Sequence, residues 1–335
     1  MKILIGTDTT PDLFSGATTQ LNSTVEGLKA LGHEILLIDP LDFYAVTAKK
    51  IHEGFHFALW PKKGLNQKIK NFQPDAIHIY TECGVGIYLR HFCKKMGWKF
   101  TTSYLTRLDL ILKQRYGLSP FFINKYMKWF HQGIATMTVS VGIKNFLSSI
   151  GCKHPIKIWH PGVHTERFHF NPQKTLDQKK PKFVYFGRID KEKNLEAFLD
   201  LDLPGEKWLI GSGGEFNHLK ELYEDRCSFF EVHSQEEIDA LIQKCDVLVF
   251  PSRFDTFGIV IVEAMAAGLP CASFEEAGPK EIITQNVSGF MDKNLKKACL
   301  AALLLDPKNC HKEAERFSIK ESVEKFVLNL EPMHR

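Results

Sequence analysis

Short apolar runs rich in β-branched residues alternate along the chain with segments of helical periodicity. KILIGTD and HEILLID enclose a predicted helix that ends near Leu31, and DAIHIYT and KFTTSY enclose another over residues 86–95. The pattern restarts with KFVYFGRID, KWLIGSGG, SFFEV and DVLVFPS, again with helical segments between the runs. Such alternation predicts parallel sheets covered by helices on both faces. We therefore expect an α/β protein with two doubly wound, Rossmann-like domains, whose ligand sites lie beyond the carboxyl ends of the strands and face a shared cleft.

The length of the chain and one polar segment indicate where the two domains meet. A chain of 335 residues is longer than one hydrophobic core usually spans. The polar stretch NPQKTLDQKKPK, residues 171–182, separates the two series of strands and is predicted to be a linker. We expect an N-terminal domain over residues 1–170 and a C-terminal domain over 183–335, with the last helix a candidate to pack back on the N-terminal domain.

Charge is distributed unevenly between the two halves. Residues 1–170 hold 21 Lys and Arg against 11 Asp and Glu, whereas the rest of the chain has a net negative charge. A basic half attracts anionic partners such as phosphates or a membrane surface, and a solvated basic face is the alternative. The segment PFFINKYMKWFHQG, residues 120–133, mixes aromatics with lysines. Core packing is the favoured interpretation of its aromatics, and a membrane-surface patch is the alternative.

The location of the protein is predicted from what the chain lacks. No apolar run reaches the 18 or so residues that cross a bilayer, and the N-terminus has no leader-like composition. The eight cysteines form no CxxC pair, which favours free thiols in a reducing compartment. We expect a cytoplasmic protein, with peripheral association at the inner face of the cytoplasmic membrane as a further option.

The segment FDTFGIVIVEAMAAGLP, residues 254–270, contains two carboxylates in unusual places. Glu263 lies in a predicted helix that is apolar on all sides, and Asp255 stands eight residues upstream, about 12 Å if the segment is helical throughout. Free N–H groups at Phe257 and Gly258, at the helix entrance, suit an anion. The alternative is structural: Asp255 caps the helix, and a buried Lys or Arg neutralises Glu263.

Two further segments could bind phosphate groups. In FGRIDKEKN, Arg188 and Lys193 leave the carboxyl end of a strand and can both reach a diphosphate, although a surface turn with ordinary charges is an equal alternative. Near the N-terminus, Gly16 precedes a helix and could bring N–H groups against a phosphate. The glycines of IGSGGEF, residues 210–216, are interpreted as a plain turn.

Metal sites are not expected. Asp200 and Asp202 imitate a metal-binding DxD pair, but they stand at a helix end before a turn. The histidines of WHPGVHTERFHF lack companions at zinc-like spacing.

Taken together, these segments resemble the retaining GT-B glycosyltransferases of family 4, the group that includes bacterial mannosyltransferases and sulfoquinovosyl lipid synthases. The resemblance runs from MKILIGTD and PDAIHIYTECGVG through FTTSY and HPGVHTERF to FGRIDKEKN, and is most specific in DVLVFPSRFDTFGIVIVEAMAAGLP and EEAGPKEIITQNVSGF. The paired acids of the family, spaced E-x7-E, fall on Asp255 and Glu263, with aspartate in place of the first glutamate.

The resemblance implies roles for individual residues. Glu263 would bind the ribose hydroxyls of the nucleotide, and Asp255 with its loop, including Phe257 and Gly258, would face the donor sugar. The remaining implied roles are a diphosphate-binding pair, an N-terminal glycine loop and a glutamate near the donor, which fall on Arg188 with Lys193, on Gly16 and on Glu281.

The resemblance also implies a reaction. A hexosyl group would pass from GDP-mannose or a UDP-hexose to a lipid-linked or cell-envelope glycan acceptor with its anomeric configuration kept. The leaving diphosphate would accept the acceptor's proton, so no cofactor, divalent metal or nucleic-acid partner is expected. The basic N-terminal domain could contact an anionic membrane surface.

Two positions depart from the family pattern, and two rival functions remain. Leu105 replaces a histidine that family members carry after the FTTSY strand, near the expected donor sugar, and His164 replaces an aspartate in a connecting turn. One rival is a nucleotide-sugar 2-epimerase of the same fold, which needs no acceptor. The other is a binding protein that has lost turnover, an idea supported only by Leu105.

Overall fold

The chain was analysed as a computed structural model that describes residues 1–10, 16–47, 56–105, 107, 109, 113, 117–177, 179–232, 234–253 and 255–333. It divides into two compact units, the first formed by Met1–Gly162 with Ile319–Arg335 and the second by Val163–Ser318. The polar segment 171–182 lies in the second unit. There, the backbone N–H groups of Asp177 and Lys182 donate to the carboxylate of Asp246.

The first unit is built on a parallel sheet. Its strands are β1 (Lys2–Gly6), β2 (Glu34–Ile38), β3 (Phe43–Thr47), β4 (His56–Pro61), β5 (Ala76–Ile79), β6 (Thr101–Tyr104), β7 (Ala135–Thr138) and β8 (Ile156–Ile158). Six of them form a sheet in the order β2-β1-β5-β6-β7-β8, with every pairing parallel. Its helices include α1 (Gly16–Ala30), α2 (Leu65–Phe72), α3 (Gly84–Met96), α4 (Pro120–Phe130) and α5 (Val141–Ser149). Residues of β1 and β5 are almost entirely buried, as expected for strands covered on both faces.

Two features of the first unit differ from the sequence-based expectations. Strands β3 and β4 pair antiparallel to each other as a separate hairpin, which the alternating pattern of β and α segments did not predict. In α4, Phe130 is buried, but Phe121, Phe122 and Trp129 are exposed. The interpretation that the aromatics of residues 120–133 pack in the core is therefore wrong for these three side chains.

The second unit repeats the same architecture. Its strands are β9 (Lys182–Phe186), β10 (Glu206–Ile210), β11 (Ser228–Phe230), β12 (Val247–Phe250), β13 (Cys271–Ser273) and β14 (Gly289–Met291). They form a parallel sheet in the order β11-β10-β9-β12-β13-β14. Its helices include α6 (Glu196–Leu199), α7 (Phe216–Tyr223), α8 (Gln235–Ile242), α9 (Ile259–Ala266), α10 (Ala277–Ile282), α11 (Leu295–Ala302) and α12 (Pro307–Ala314). In both sheets the strand order changes direction beside the first strand, which places the expected ligand sites at the carboxyl ends of β1 and β9.

The last helix, α13 (Ile319–Asn329), belongs to the first unit although it follows the second in sequence. It packs against α1 so closely that a methyl group added at Gly27 would lie 2.6 Å from Cγ2 of Val323. Ser322 accepts a hydrogen bond from the indole N–H of buried Trp159, at 3.1 Å from its Oγ. The helix thereby completes the core of the first unit.

The state of the cysteines agrees with the free thiols expected from the sequence. All eight cysteines are free thiols, and all but Cys83 are buried. None of the helices in the described ranges is long and apolar enough to cross a membrane.

Candidate active site

Glycines bring two loops together at the carboxyl edge of the second sheet. The loops that follow β9 and β10 are joined by backbone hydrogen bonds from Gly187 to Ile210 and from Ile189 to the loop after β10. A Cβ at Gly211 would lie 1.9 Å from the carbonyl oxygen of Gly187, and one at Gly213 would lie 2.3 Å from that of Ile189. Only glycine permits such contacts, so Gly211 and Gly213 have a packing role in this turn.

Lys193 and Asp255 form an ion pair at this edge. Lys193 ends a short 3₁₀ turn after β9, and its Nζ lies 2.8 and 3.1 Å from the two carboxylate oxygens of Asp255. The next residue, Asn194, has a left-handed backbone and donates from its amide to the carbonyl of Pro251, just beyond β12. The pair is partly buried, which protects it from the screening that weakens exposed ion pairs. Asp255 thus joins the loop after β9 to the loop after β12.

Arg188 lies in the same loop but is much more exposed, with 68% of its side chain accessible. Its guanidinium donates to Asp190 at 2.6 Å and to Glu192 at 3.2 Å. Because these contacts are exposed, they hold the side chain only weakly, and the guanidinium can turn toward an incoming anion.

Glu263 is a half-buried carboxylate in the apolar helix α9. Burial raises its pKa to about 7, and no charged group or hydrogen-bond donor among the described residues offsets that effect. The alternative in which a buried Lys or Arg neutralises Glu263 therefore finds no support in the described part of the chain. An acid in such a place lacks partners that a ligand could supply.

The start of α9 corrects two details of the sequence interpretation. The helix begins at Ile259 with Gly258 at its N-cap position, where the glycine has a φ of 104°. Asp255 does not cap the helix, because its carboxylate pairs with Lys193. Nor is the segment helical from Asp255 onward, so the estimate of 12 Å of helical rise between the two acids does not apply.

The loop that carries Asp255 is clamped by the helix that carries Glu281. A Cβ at Gly278 would lie 2.4 Å from the carbonyl oxygen of Asp255 and 2.8 Å from that of Phe257. The ring of Phe257 is buried against Phe317, with centroids 5.7 Å apart. Sequence reasoning missed Gly278, although a glycine directly before a proline at a helix start was a visible signal.

In the first unit, the carboxyl end of β1 carries a buried acid that the sequence analysis did not single out. Asp8 accepts hydrogen bonds from the Thr81 hydroxyl at 2.7 Å and from the N–H groups of Cys83 and Val85 at 2.9 and 2.7 Å. Burial raises its pKa, and these bonds lower it. Asp8 thus accepts hydrogen bonds from free backbone N–H groups at the N-terminus of α3.

Gly16 begins α1, but the loop before it, residues 11–15, lies outside the described residues, so the phosphate-binding role of Gly16 stays a prediction.

Leu105 follows β6 and packs against the apolar cluster that contains Ile5 and Tyr80. Next to it, Arg107 pairs with buried Asp109 at 2.7 Å and stacks over the ring of Phe146. Thr106 lies outside the described residues. The aliphatic side chain at position 105 therefore has a packing role.

The residues considered for metal binding do not converge. Asp200 accepts a hydrogen bond from the Tyr223 hydroxyl at 3.0 Å, and Asp202 pairs with Lys296 at 3.0 Å. Within the described ranges, no three His, Cys, Asp or Glu side chains come together as metal ligands would.

Comparison with solved structures identifies the fold. The chain matches the sucrose-phosphate synthase of Thermosynechococcus elongatus with a TM-score of 0.73, at 16% identity and over 98% of this chain and 97% of that one. The two parallel-sheet α/β units are those of GT-B glycosyltransferases, so the predicted fold is confirmed.

Two family models then identify the family. The Glycosyltransferase Family 4 model matches residues 14–167, and the Glycosyl transferases group 1 model matches residues 166–321. The chain belongs to the glycosyltransferases of this GT-B family, which confirms the resemblance recognised from the sequence.

Two relatives are similar over most of the chain. A sulfoquinovosyl transferase of Arabidopsis thaliana is 26% identical over 309 residues, which are 82% of this chain and 59% of that protein. A GDP-mannose-dependent alpha-mannosyltransferase of Corynebacterium glutamicum is 25% identical over 321 residues, 87% of this chain and 76% of that protein. The chain thus spans less than two thirds of the length of the plant protein.

Proposed function

We propose that this chain is a retaining, metal-independent hexosyltransferase. It takes a hexosyl group from a nucleotide-diphosphate sugar, GDP-mannose or a UDP-hexose, and transfers it to a lipid-linked or cell-envelope glycan acceptor. The observation that carries the proposal is Glu263, an ionisable side chain whose pKa is about 7 in an apolar helix and which lacks a protein partner among the described residues. The two ribose hydroxyls of a nucleotide are donors that would satisfy this carboxylate.

The diphosphate has its own partners in this proposal. Lys193 carries the positive charge at the carboxyl end of β9, where Asp255 holds it in place at 2.8 Å. A diphosphate would share this ammonium with Asp255, and Arg188 would turn from its exposed contacts to add a second cation. Two cations beside a leaving diphosphate stabilise it without a metal ion. The close backbone contacts at Gly211 and Gly213 keep the adjoining loop free of side-chain bulk.

The proposed transfer step requires no protein nucleophile. The bond between the anomeric carbon and the diphosphate oxygen breaks, and the acceptor hydroxyl forms a new bond to the same face of that carbon. The hydroxyl proton passes to the departing diphosphate. In this account, Glu263 binds the nucleotide, Lys193 and Arg188 stabilise developing charge, and Asp255 orients Lys193 while facing the donor sugar.

Turnover of a donor panel tests the proposal. The enzyme is incubated in EDTA with UDP-glucose, UDP-galactose, GDP-mannose or UDP-sulfoquinovose, with and without a diacylglycerol or prenyl-phosphate acceptor, and diphosphate release is measured. We expect release from one donor that depends on an acceptor, and a product whose anomeric configuration matches the donor by NMR.

Three other outcomes would contradict the proposal, two of them in favour of a rival function. Conversion of the donor without an acceptor, with the epimer at the second carbon appearing, would indicate the 2-epimerase. Donor binding without any turnover would indicate a binding protein. Activity lost in EDTA and restored by manganese would contradict metal independence.

A further inference from the structure

The β3–β4 hairpin presents an apolar surface to solvent. Along β4, Ala58 is buried and faces α3, where a Cβ at Gly84 would lie 2.2 Å from the Ala58 carbonyl oxygen. Its neighbours Phe57 and Leu59 are both exposed. Trp60 follows with 70% of its surface accessible. The hairpin is therefore anchored to the unit at Ala58, while the three large apolar residues beside it remain exposed.

Helix α4 presents a second apolar surface. Ile123, Met127 and Phe130 are buried and fix the helix to the unit. Phe122, at 71% exposure, and Trp129 are seven residues apart, which places them on one outward side of the helix. A single large apolar residue on a surface is ordinary, but two on one helix side next to another apolar surface are not.

The two surfaces meet in a groove of about 430 Å³. Trp129 lines it from α4, and Phe57, Leu59 and Trp60 line it from the hairpin, with α3 contributing Ile87. Arg90 fixes the position of Trp129, because its guanidinium lies 4.0 Å from that ring and donates to the Trp129 carbonyl at 2.7 Å. We call the set formed by Phe57, Leu59, Trp60, Ile87, Phe122 and Trp129 the aromatic face.

Basic residues surround the aromatic face. A neighbouring groove of about 210 Å³ shares Tyr88 and His91 with the first and is lined by Lys70 and Lys95. Lys125 on α4 is also exposed. Of the described residues that line the two grooves, none is acidic. The combination of exposed Trp and Phe with flanking lysines is typical of surfaces that lie in the interface of an anionic bilayer.

We propose that the aromatic face docks on the surface of an anionic lipid bilayer, with its aromatic side chains in the interface and the lysines near the lipid phosphates. A second copy of the chain is less favourable, because two such faces would bring lysines against lysines. The inference deepens the proposed function by locating where the enzyme would meet a lipid-borne acceptor. Vesicle binding requires neither donor nor transfer, so it can fail or succeed independently of that function.

Co-sedimentation of the full chain with vesicles tests the aromatic contribution. Vesicles of phosphatidylcholine and phosphatidylglycerol in equal parts are compared with vesicles of phosphatidylcholine alone. We expect wild type to bind the anionic vesicles and the double variant Trp60→Ser with Phe122→Ser to bind them at least about tenfold more weakly. Leu304→Ser, on the exposed surface of the second unit, is the matched control and should bind like wild type.

The lysine contribution has its own variants. Lys95→Gln and Lys125→Gln should each weaken binding about fivefold, and added salt should weaken wild type further. Lys325→Gln, an exposed lysine of α13, is the control that should change nothing. Circular dichroism and binding of UDP or GDP verify that each variant is folded.

Three results would overturn the inference. Wild type could ignore both kinds of vesicle, or the control variants could lose binding as much as the aromatic pair. Sedimentation velocity could instead show a dimer that the Trp60 and Phe122 changes dissociate, without any vesicle binding, which would assign the face to a second copy. A fluorescence blue shift with anionic vesicles that becomes smaller in Trp60→Phe would add independent support.

Discussion

Burial in the apolar helix α9 raises the pKa of the Glu263 carboxyl group to about 7. A nucleotide that donates hydroxyl hydrogen bonds to this group favours the ionised form, so binding should release a proton. We expect the affinity for the nucleoside diphosphate to rise as pH increases from 5.5 to 8.5, with a midpoint near 7, by isothermal titration. In Glu263→Gln the contribution of this group should vanish, and a pH dependence identical to wild type would contradict the assignment.

The raised pKa of Glu263 also predicts an effect on protein stability. Stability without ligand should fall as pH increases, whereas nucleotide affinity should rise. Folding raises the pKa of Glu263 from its ordinary value of 4.5, so the folded state gains relative stability below that value and loses it as pH rises through about 7. Without ligand, Glu263→Gln should therefore be more stable than wild type at pH 8.5, by at most about 3 kcal/mol, with the gap narrowing at pH 5. Denaturant unfolding at both values measures this. A less stable variant at pH 8.5 would indicate a hidden ion pair.

Lys193 and Asp255 divide two tasks, and substitutions should separate them. Lys193→Ala removes the ammonium near the leaving group and should raise the barrier to transfer by about 2–4 kcal/mol, measured as kcat/KM. Asp255→Asn leaves that charge unpaired, so we expect diphosphate binding to be kept while kcat falls. Lys191→Ala, at an exposed position in the same 3₁₀ turn, is the control. Equal losses of kcat/KM in Lys193→Ala and Lys191→Ala would mean that the effect comes from the positive charge of the loop as a whole and not from the position of Lys193.

At the scale of elements, adjacent glycines in the loop after β10 provide a matched test. A Cβ at Gly213 would meet the Ile189 carbonyl oxygen at 2.3 Å, whereas one at Gly214 meets nothing within 4 Å. Gly213→Ala should destabilise the chain by about 1–3 kcal/mol and weaken nucleotide binding, because the two loops must separate. Gly214→Ala should change stability by no more than about 0.5 kcal/mol. Thermal unfolding measures the stability of the two variants, and titration with UDP or GDP measures their nucleotide affinity. Equal stability and affinity in Gly213→Ala and Gly214→Ala would mean that the contact between the two loops contributes to neither property.

Sequence periodicity predicted β1, β2, β5 and β6 of the first sheet and β9 to β12 of the second, because fully buried parallel strands are continuous apolar runs. It did not single out β7, β8, β13 or β14. KILIG, EILLI, KFVYF and VLVF each became a strand within one or two residues of the predicted limits. The β3–β4 hairpin was missed, since it lies outside the repeating pattern and exposes residues that resemble a core when read alone. For the same reason the aromatics of α4 were assigned to the core: a pattern identifies apolar residues but not whether anything covers them.

The candidate site was only partly predictable for a similar reason. Glu263 and Asp255 stood out because carboxylates near an apolar helix conflict with their surroundings. The pairing of Lys193 with Asp255 joins residues 62 positions apart, and the contact of Gly278 with the Asp255 loop depends on how α10 packs. Such contacts depend on the tertiary fold, and the spacing of residues along the chain does not predict them.

At the scale of the whole molecule, the chain is a GT-B glycosyltransferase with the partly buried Lys193–Asp255 pair and the isolated carboxylate of Glu263 in its second unit. The aromatic face lies in the first unit, so donor binding and membrane docking should be separable by mutation. We expect Trp60→Ser with Phe122→Ser to keep wild-type affinity for UDP or GDP, and Glu263→Gln to keep vesicle binding. Titration and co-sedimentation on both variants check this, and loss of both properties in either variant would indicate a folding defect.

The proposed function requires Glu263 and Lys193 to bind a nucleoside diphosphate without a metal ion. Isothermal titration of the full chain with UDP and with GDP, at pH 8 in EDTA, tests it most directly. We expect one-to-one binding of one of the two, weakened at least about tenfold by Glu263→Gln, the cost of losing hydrogen bonds to a charged group. Binding of neither diphosphate without added metal, or equal affinity in wild type and Glu263→Gln, would contradict it.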